Sequence, residues 1–381
     1  MFDYFQPPRV TFGLNSITKL PEIIKSLGSR SFIIHNGPQV DDSILALLGT
    51  PTIHRQKGEP TVQHVESALT AAKESHADVI LAVGGGSAID CAKAVAGLLT
   101  NGGSPTDYME VVGQGKKITR PAMNWIAIPT TAGTGAEATR NAVIGLPEKK
   151  YKASIRSEHL LPRAVLIDPQ LGVNVSKETT AASGMDALCQ LIESYTSTGA
   201  NAFTDALANR GISLAVCALP HAFTDGKNLE ARSDMAIAAY WSGVCLTNAG
   251  LGAVHGFAAP LGANFPIPHG VVCAALLPHV MKANVEALRE QSQDHPTLKR
   301  YADIGQATSQ QAMSEQAAVQ HAIDAITQLV RDLGIPRLND FGLTPDRVAE
   351  MASLAKKASS MRFNPVTLSD EQLAAVLHEA I

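Results

Sequence analysis

Residues 79–93, VILAVGGGSAIDCAK, decide the fold class of this chain. The first five are apolar and favour a buried strand, three glycines follow, and helical spacing begins at Ala88. Glycine lets a backbone approach a phosphate closely, and the amides at a helix start point donors at anions. The stretch therefore predicts a phosphate site, although a tight strand-to-helix turn without a ligand fits the same pattern.

Strands and helices alternate on both sides of this turn. Apolar runs at residues 31–35, 125–128 and 164–167 predict strands, and residues 61–75 predict a helix. Alternating strands and helices are typical of an α/β domain with a parallel sheet. We therefore predict that the amino-terminal part of the chain has this architecture.

A second polar loop follows one of these strands. Residues 129–137, PTTAGTGAE, place threonines and glycines directly after the run at 125–128. In open parallel sheets, ligands bind beyond the carboxyl ends of the strands. We therefore expect this loop and the 84–87 turn to converge on one ligand.

The pattern changes at residues 168–172, DPQLG. Beyond them strand signals nearly vanish, and helical spacing runs through residues 177–195, 202–222 and 229–246. A chain of 381 residues also exceeds the usual size of one core. We predict two domains, an α/β domain over residues 1–172 and an all-α domain over residues 173–381.

Composition narrows the possible partners and location. Lysine and arginine total 31 against 35 acidic residues, a net charge of -4, and no basic run is present. This balance favours neither nucleic acid nor anionic lipid. No segment reads as an export signal or reaches the roughly 20 apolar residues of a membrane span. Five scattered cysteines without a CxxC pair argue against a disulfide framework or thiolate zinc site and favour the cytoplasm.

The second half contains a candidate metal site. Asp186 is placed at the start of a helix, with Gln190 four residues later on the same face. His255 is placed at the end of an apolar helix and His269 at the start of the next. Three prolines are expected to force the chain out of helix between the two histidines: Pro260, Pro266 and Pro268.

Such a turn could bring one carboxylate and two imidazoles around a divalent ion. Asp186, His255 and His269 would form a three-ligand set with an open position, which suits catalysis. Each residue by itself could also have a purely structural role without a metal. Asp186 alone is more often a charge at a helix start, and each histidine alone a satisfied core or surface residue.

Four long motifs occur in order along the chain: GGGSAIDCAK from Gly84, PTTAGTGAEATRNAVI from Pro129, GMDAL from Gly184, and VHGFAAPLGANFPIPHG from Val254. With them the sequence resembles the iron-containing, group III alcohol dehydrogenase family over nearly its whole length. The resemblance implies a dinucleotide-binding α/β domain and an all-α domain, the architecture shared with dehydroquinate synthase, with NAD(P) and a divalent metal in the cleft between them.

The resemblance also assigns roles to individual residues. Asp186, His255 and His269 fall on metal-ligand positions and would act in catalysis through the metal, with Gln190 as a further candidate ligand. The implied cofactor-binding residues are Asn36, Glu59, Gly85, Gly86, Ser87, Thr130, Thr131, Thr134, Asn141, Lys152 and Leu171.

Three positions depart from the family pattern. Gln190 replaces a histidine, and a neutral amide is a weaker ligand than imidazole, so iron affinity should fall and Zn²⁺, or another ion, becomes more plausible. Ala259 replaces a histidine thought to help move protons, which leaves water or a cofactor hydroxyl for that role. Asn36 replaces the acidic residue that binds the adenosine ribose, and Glu59 could supply the carboxylate. We expect NAD, with NADP possible.

The implied function is hydride transfer between NAD(P) and a small alcohol or aldehyde. One alternative is a metal- and NAD-dependent lyase of the dehydroquinate synthase type, which would need a basic cluster that is not evident near Asp186 or His255. Another is a non-catalytic NAD-binding protein. The apolar segment at residues 10–12 is compatible with a homodimer formed by pairing of edge strands.

Overall fold

A computed structural model describes residues 1–309 and 312–381 of the chain. The chain forms two compact units, Met1–Val175 and Ser176–Ile381. The predicted boundary lay after residue 172, where the 3-10 helix Pro169–Gly172 ends. The second unit begins instead at Ser176, because its side chain accepts from the Thr179 amide and caps the first long helix.

The first unit is built on a six-stranded sheet whose paired strands all run parallel, with a separate antiparallel hairpin β6–β7. The strand order is β1-β8-β5-β4-β2-β3. The strands are β1 (Val10–Phe12), β2 (Ser31–His35), β3 (Thr52–Arg55), β4 (Val79–Gly84), β5 (Trp125–Pro129), β6 (Asn141–Leu146), β7 (Tyr151–Arg156) and β8 (Ala164–Ile167). The helices are α1 (Leu20–Lys25), α2 (Asp42–Leu48), α3 (Val62–Glu74), α4 (Gly86–Asn101) and α5 (Pro105–Tyr108).

The strands that apolar runs predict from the sequence are those that are largely buried in the structure. Every residue of β4 and β5 is buried, as the continuous apolar runs require of strands covered on both faces. The predicted parallel sheet is confirmed. Neither β3 nor the β6–β7 hairpin is predicted, because β3 is mostly exposed and lacks an apolar run, and β6 buries only alternate residues.

The second unit consists of helices, as predicted, and its described residues contain no strand. The helices are α6 (Lys177–Thr196), α7 (Ala202–Thr224), α8 (Leu229–Ala249), α9 (Ala253–Asn264), α10 (His269–Gln291), α11 (Pro296–Thr308), α12 (Glu315–Asp332), α13 (Val348–Lys356) and α14 (Asp370–Ala380). The core is formed mainly by α6, α8 and α10, whose residues are largely buried.

Two predicted placements in this unit are wrong. Asp186 lies in the middle of α6, not at its start. His255 lies in the first turn of α9, because Gly250 adopts φ 74 and ends the preceding helix. Pro260 lies inside α9, so the chain leaves the helix only over residues 265–268 before His269 begins α10.

Within the part of the chain that the structure describes, one helix has the length and composition of a membrane span. It is α10, with a mean hydropathy of 1.3, and 78% of its most apolar window is buried inside the structure. The bent pair α8–α9 passes the same test together at an angle of 102°. Core helices of ordinary proteins pass this test too, so it is weak evidence for a membrane span.

A buried lysine connects α4 to the hairpin. Lys93 Nζ donates to Ala136 O at 2.8 Å, to Thr139 Oγ1 at 2.8 Å and to Asn141 O at 2.7 Å. Burial lowers the pKa of Lys93, and the nearby carboxyl groups of Asp90 and Glu137 oppose that shift. The lysine therefore holds the end of the 129–137 loop through three hydrogen bonds. Because Lys93 is fully buried, water cannot take its place.

We predict that Lys93→Met destabilises the first unit. The substitution removes three hydrogen bonds of the buried ammonium group, worth about 1 kcal/mol each, so the local free energy of unfolding should fall by about 3 kcal/mol. Hydrogen exchange of the β4 and β5 amides measures this loss in the first unit alone. Lys73→Met, at an exposed position of α3, is the control and should change protection by less than about 0.5 kcal/mol. Equal protection in both variants would contradict the assigned role.

Candidate active site

The glycine turn between β4 and α4 requires glycine for a steric reason. Gly84 adopts φ +148, and a Cβ atom there would lie 2.2 Å from Asn36 Oδ1. The Gly85 amide donates to that same oxygen at 3.3 Å. Helix α4 begins at Gly86, so the amides of Gly86 and Ser87 have no acceptor within the helix. They are the donors that an anion at this turn would meet.

The two loops that the sequence placed near one ligand lie in contact. The Thr130 amide donates to Gly84 O at 3.0 Å. A Cβ atom on Gly85 would lie 2.9 Å from Thr131 Oγ1, and one on Gly86 would lie 2.7 Å from Thr134 Oγ1. The absence of side chains at these glycines lets the 129–137 loop approach the start of α4.

The remaining candidate cofactor residues are more dispersed. Lys152 forms an ion pair with Glu59. Lys152 pairs with Gly145 in the hairpin, four residues from Asn141, so Asn141 and Lys152 share one face about 13 Å apart. Leu171 is partly buried against the apolar core of the first unit.

In the second unit, three predicted metal ligands come together. His255 Nε2 lies 3.3 Å from Asp186 Oδ1, and His269 Nε2 lies 3.5 Å from the same oxygen. Asp186 is almost fully buried, and no described donor is placed to hydrogen-bond with its Oδ1 atom. Cys273 belongs to the same group, whose four ligand atoms all lie within 4.8 Å of one another. A buried, unsatisfied carboxylate oxygen facing two imidazoles fits a bound cation.

Glu193 positions His255 through two hydrogen bonds. Its Oε1 atom accepts from the Val254 amide at 2.7 Å, in the first turn of α9, and its Oε2 atom lies 2.5 Å from His255 Nδ1. A carboxylate at Nδ1 keeps the proton on that nitrogen and leaves the lone pair on Nε2. The lone pair then points toward Asp186, as a metal ligand requires.

The charges of the group are strongly coupled. Burial opposes ionisation of Asp186, but His269 and His255 hold the pKa of this carboxyl below its usual range. Burial likewise opposes the charged form of His269, but Cys273 and Asp186 raise its pKa to about 10. A metal ion must displace the protons on these groups, so metal affinity should rise with pH.

Gln190 is buried on α6, one turn after Asp186. Its side-chain oxygen accepts a hydrogen bond from Ser242 Oγ at 2.8 Å. The role of Gln190 as a ligand stays a prediction, and the oxygen that would serve already has a hydroxyl partner.

Two residues of this group are not predicted from the sequence. Glu193 follows Asp186 by seven residues and Cys273 follows His269 by four, spacings that place each pair on one helix face. A search along each helix at these intervals would have found them. Cys273 is not part of a CxxC pair, which is the usual sequence sign of a thiolate ligand.

Comparisons with known proteins cover nearly the whole chain. The family model described as iron-containing alcohol dehydrogenase matches residues 7–169. The model described as the C-terminal part of the Fe-containing alcohol dehydrogenase family matches residues 180–381. Alcohol dehydrogenase 4 of Saccharomyces cerevisiae is 34% identical over 390 residues, which cover 99% of this chain and 98% of that protein.

Solved structures agree with this similarity. A crystal structure of 1,3-propanediol oxidoreductase matches with a TM-score of 0.90 and 34% identity, and the match covers 100% of both chains. Sulfoacetaldehyde reductase from Bifidobacterium kashiwanohense, in complex with NAD+, matches with a TM-score of 0.87 and 27% identity, covering 100% of this chain and 98% of that one.

We predict that Glu193→Gln weakens metal binding by roughly 10–100-fold. An amide has one acceptor and one donor end, so it cannot accept from both Val254 N–H and His255 Nδ1–H. Competition with a chromophoric zinc chelator measures the dissociation constant. Glu379→Gln is the matched control, since Glu379 lies 3.0 Å from His279 Nδ1 outside this group and should leave the affinity unchanged. Equal affinities in the two variants would refute the positioning role of Glu193.

Proposed function

The chain belongs to the iron-containing alcohol dehydrogenase family, and we propose which of its residues carry out the family's chemistry. It is an NAD-linked oxidoreductase that acts on small alcohols or the matching aldehydes. We assign the metal to Asp186, His255 and His269, and the cofactor phosphates to the 84–87 turn. The observation that carries the proposal is the approach of two imidazole Nε2 atoms, at 3.3 and 3.5 Å, to one buried carboxylate oxygen.

The residues of the second unit are suited to bind the metal and to orient its ligands. When bound, the metal supplies a Lewis acid for the substrate oxygen and the nicotinamide exchanges a hydride with the adjacent carbon. Asp186 supplies negative charge in a buried place, which strengthens its attraction for a cation. Glu193 holds the proton at His255 Nδ1 and keeps the ring oriented. The side chain of His269 is 38% exposed, so a small molecule can approach the group from that side.

The first unit supports NAD over NADP in this proposal. Asn36 accepts from the Gly85 amide, and the carboxylate of Glu59 lies beside Lys152. A carboxylate near the adenosine ribose binds its hydroxyls and repels the 2′-phosphate of NADP.

The two alternatives, a metal- and NAD-dependent lyase and a non-catalytic NAD-binding protein, receive less support. The similar proteins named above are alcohol dehydrogenases, a propanediol oxidoreductase and an aldehyde reductase, which does not favour a dehydroquinate synthase type of lyase. A non-catalytic NAD-binding protein would have no use for the Asp186, His255 and His269 group. The named relatives suggest a small diol or a short aldehyde as the substrate of this chain.

We also propose that the protein forms a homodimer and is located in the cytoplasm. Strand β1 lies at an edge of the sheet, and its side chains Val10 and Phe12 are 38% and 40% exposed. An unpaired apolar edge of this kind supports a homodimer through strand pairing. The five cysteines are free thiols, which supports a reducing cytoplasm.

We predict that activity depends on the metal and on Asp186. Purified protein given NAD+ or NADP+ with a panel of short alcohols, diols and aldehydes should change nicotinamide absorbance. Chelation should abolish the signal, and added Zn²⁺ or Fe²⁺ should restore it. Asp186→Asn should lower kcat/KM by at least about 100-fold, because it removes the ligand charge. Asp324→Asn, at an exposed site on α12, is the control. Full activity after chelation would refute the proposal.

We predict that Asn36→Asp increases the preference for NAD over NADP by about tenfold. An aspartate can still accept from the Gly85 amide, and its charge repels the 2′-phosphate. Glu59→Gln should shift the preference the other way. The ratio of kcat/KM for the two cofactors is the measurement. An unchanged ratio in both variants would place the adenosine ribose away from these side chains.

A further inference from the structure

The metal group of the second unit contains a thiol, and we propose that Cys273 Sγ is the fourth metal ligand. This inference rests on the proposed function and assigns to Cys273 the place that the sequence offered to Gln190. It predicts an Asp, His, His, Cys ligand set in which Asp186, His255, His269 and Cys273 each supply one atom.

Four of the six distances between the ligand atoms match a tetrahedral ion. Zinc binds nitrogen and oxygen at about 2.1 Å and sulfur at about 2.3 Å, so tetrahedral neighbours lie about 3.4 Å apart for N and O and about 3.6 Å apart for N and S. Asp186 Oδ1 lies 3.3 Å from His255 Nε2 and 3.5 Å from His269 Nε2. Cys273 Sγ lies 3.7 Å from each of the same nitrogens. These four distances lie within about 0.1 Å of the tetrahedral values.

Three helices supply the four atoms. Asp186 comes from α6 and His255 from α9, while His269 and Cys273 lie one turn apart on the same face of α10. Gly270 permits the approach of α10 to α6, because a Cβ atom there would lie 2.3 Å from Ala182 O. The thiol is therefore held beside Asp186 by the packing of two long helices and does not depend on a loop.

Gln190 is less suited to the fourth position. Its oxygen already accepts from Ser242 Oγ, and a neutral amide donates less charge to a cation than a thiolate does. Cys273, in contrast, approaches both histidine nitrogens that face Asp186. A second buried thiol, Cys189, contacts Cys273 and lies 4.0 Å from His255 Nδ1, the atom that Glu193 binds. Cys189 is thus a buried cysteine beside the site but outside the ligand set.

A thiolate ligand determines which metal the site prefers. On binding, the thiol proton leaves to solvent, and one carboxylate and one thiolate balance the charge of a divalent ion. Soft sulfur ligands favour Zn²⁺ over Mg²⁺ or Mn²⁺. Zinc can also expand from four to five ligands, so a full protein set still admits a substrate.

X-ray absorption of the full-length protein loaded with Zn²⁺ tests this assignment. The wild type, Cys189→Ser and Gln190→Ala should each show one sulfur neighbour at about 2.3 Å. Cys273→Ser should show only nitrogen and oxygen neighbours, with zinc affinity lowered roughly tenfold or more in a chelator competition. Loaded with Co²⁺, the first three proteins should show sulfur-to-cobalt charge-transfer absorption and Cys273→Ser should lack it.

Each outcome supports or overturns the assignment. Only nitrogen and oxygen around zinc in the wild type would overturn it, and so would loss of sulfur in Cys189→Ser. The wild type and Cys189→Ser together identify the sulfur even if Cys273→Ser fails to fold. A zinc-bound, active enzyme without sulfur would refute the ligand but leave the proposed function intact. A sulfur-bound metal in a protein inactive on every alcohol and aldehyde would refute the function alone, and failure to bind either Zn²⁺ or Fe²⁺ would refute both.

Discussion

The carboxylate of Glu193 is the group on which the proposed metal site depends. One oxygen satisfies an amide in the first turn of α9, and the other holds His255 Nδ1. The residue that caps the helix thus also sets the tautomer of the histidine that the helix carries. A helix end buried without such a partner would leave amides unsatisfied, and a neutral imidazole could turn its lone pair the wrong way.

Placing this carboxylate has an energetic consequence. Glu193 and Asp186 are both buried on α6, two turns apart, and buried charges are stable only when they are paired. Val254 and His255 satisfy Glu193, whereas Asp186 Oδ1 has no well-placed donor among the described residues. The second unit therefore has one fully satisfied carboxylate that supports the site and one under-satisfied carboxylate that faces into it. A cation removes that imbalance, and a thiolate at Cys273 would add the second negative charge that a divalent ion needs.

The first unit also contains a buried charged residue, in this case a lysine. Lys93 is fully buried and donates to the backbone and a side chain around the 129–137 loop, while the glycines of the 84–87 turn remove the side chains that would keep this loop away. Both units thus use a buried charged residue to hold backbone beside a proposed site, a loop in the first unit and the first turn of α9 in the second. Such residues cost stability unless every hydrogen bond is formed, which is why they occur where geometry matters more than packing.

Periodic and local features follow from the sequence by itself. The strand Ser31–His35 and the strand Ala164–Ile167 are predicted at their observed ends, and the helix after the glycine turn is predicted to within two residues, because apolar spacing records burial along one element. The order of the strands and helices is also enough to predict an α/β first unit and an all-α second unit. Tertiary structure alone decided that His255 lies in the first turn of a helix, that Ser242 binds Gln190, and that Glu193 and Cys273 both contact His255. These facts depend on the meeting of α6, α8, α9 and α10. Helical spacing places Glu193 on the face of Asp186 and Cys273 on the face of His269, but it does not show which helices meet.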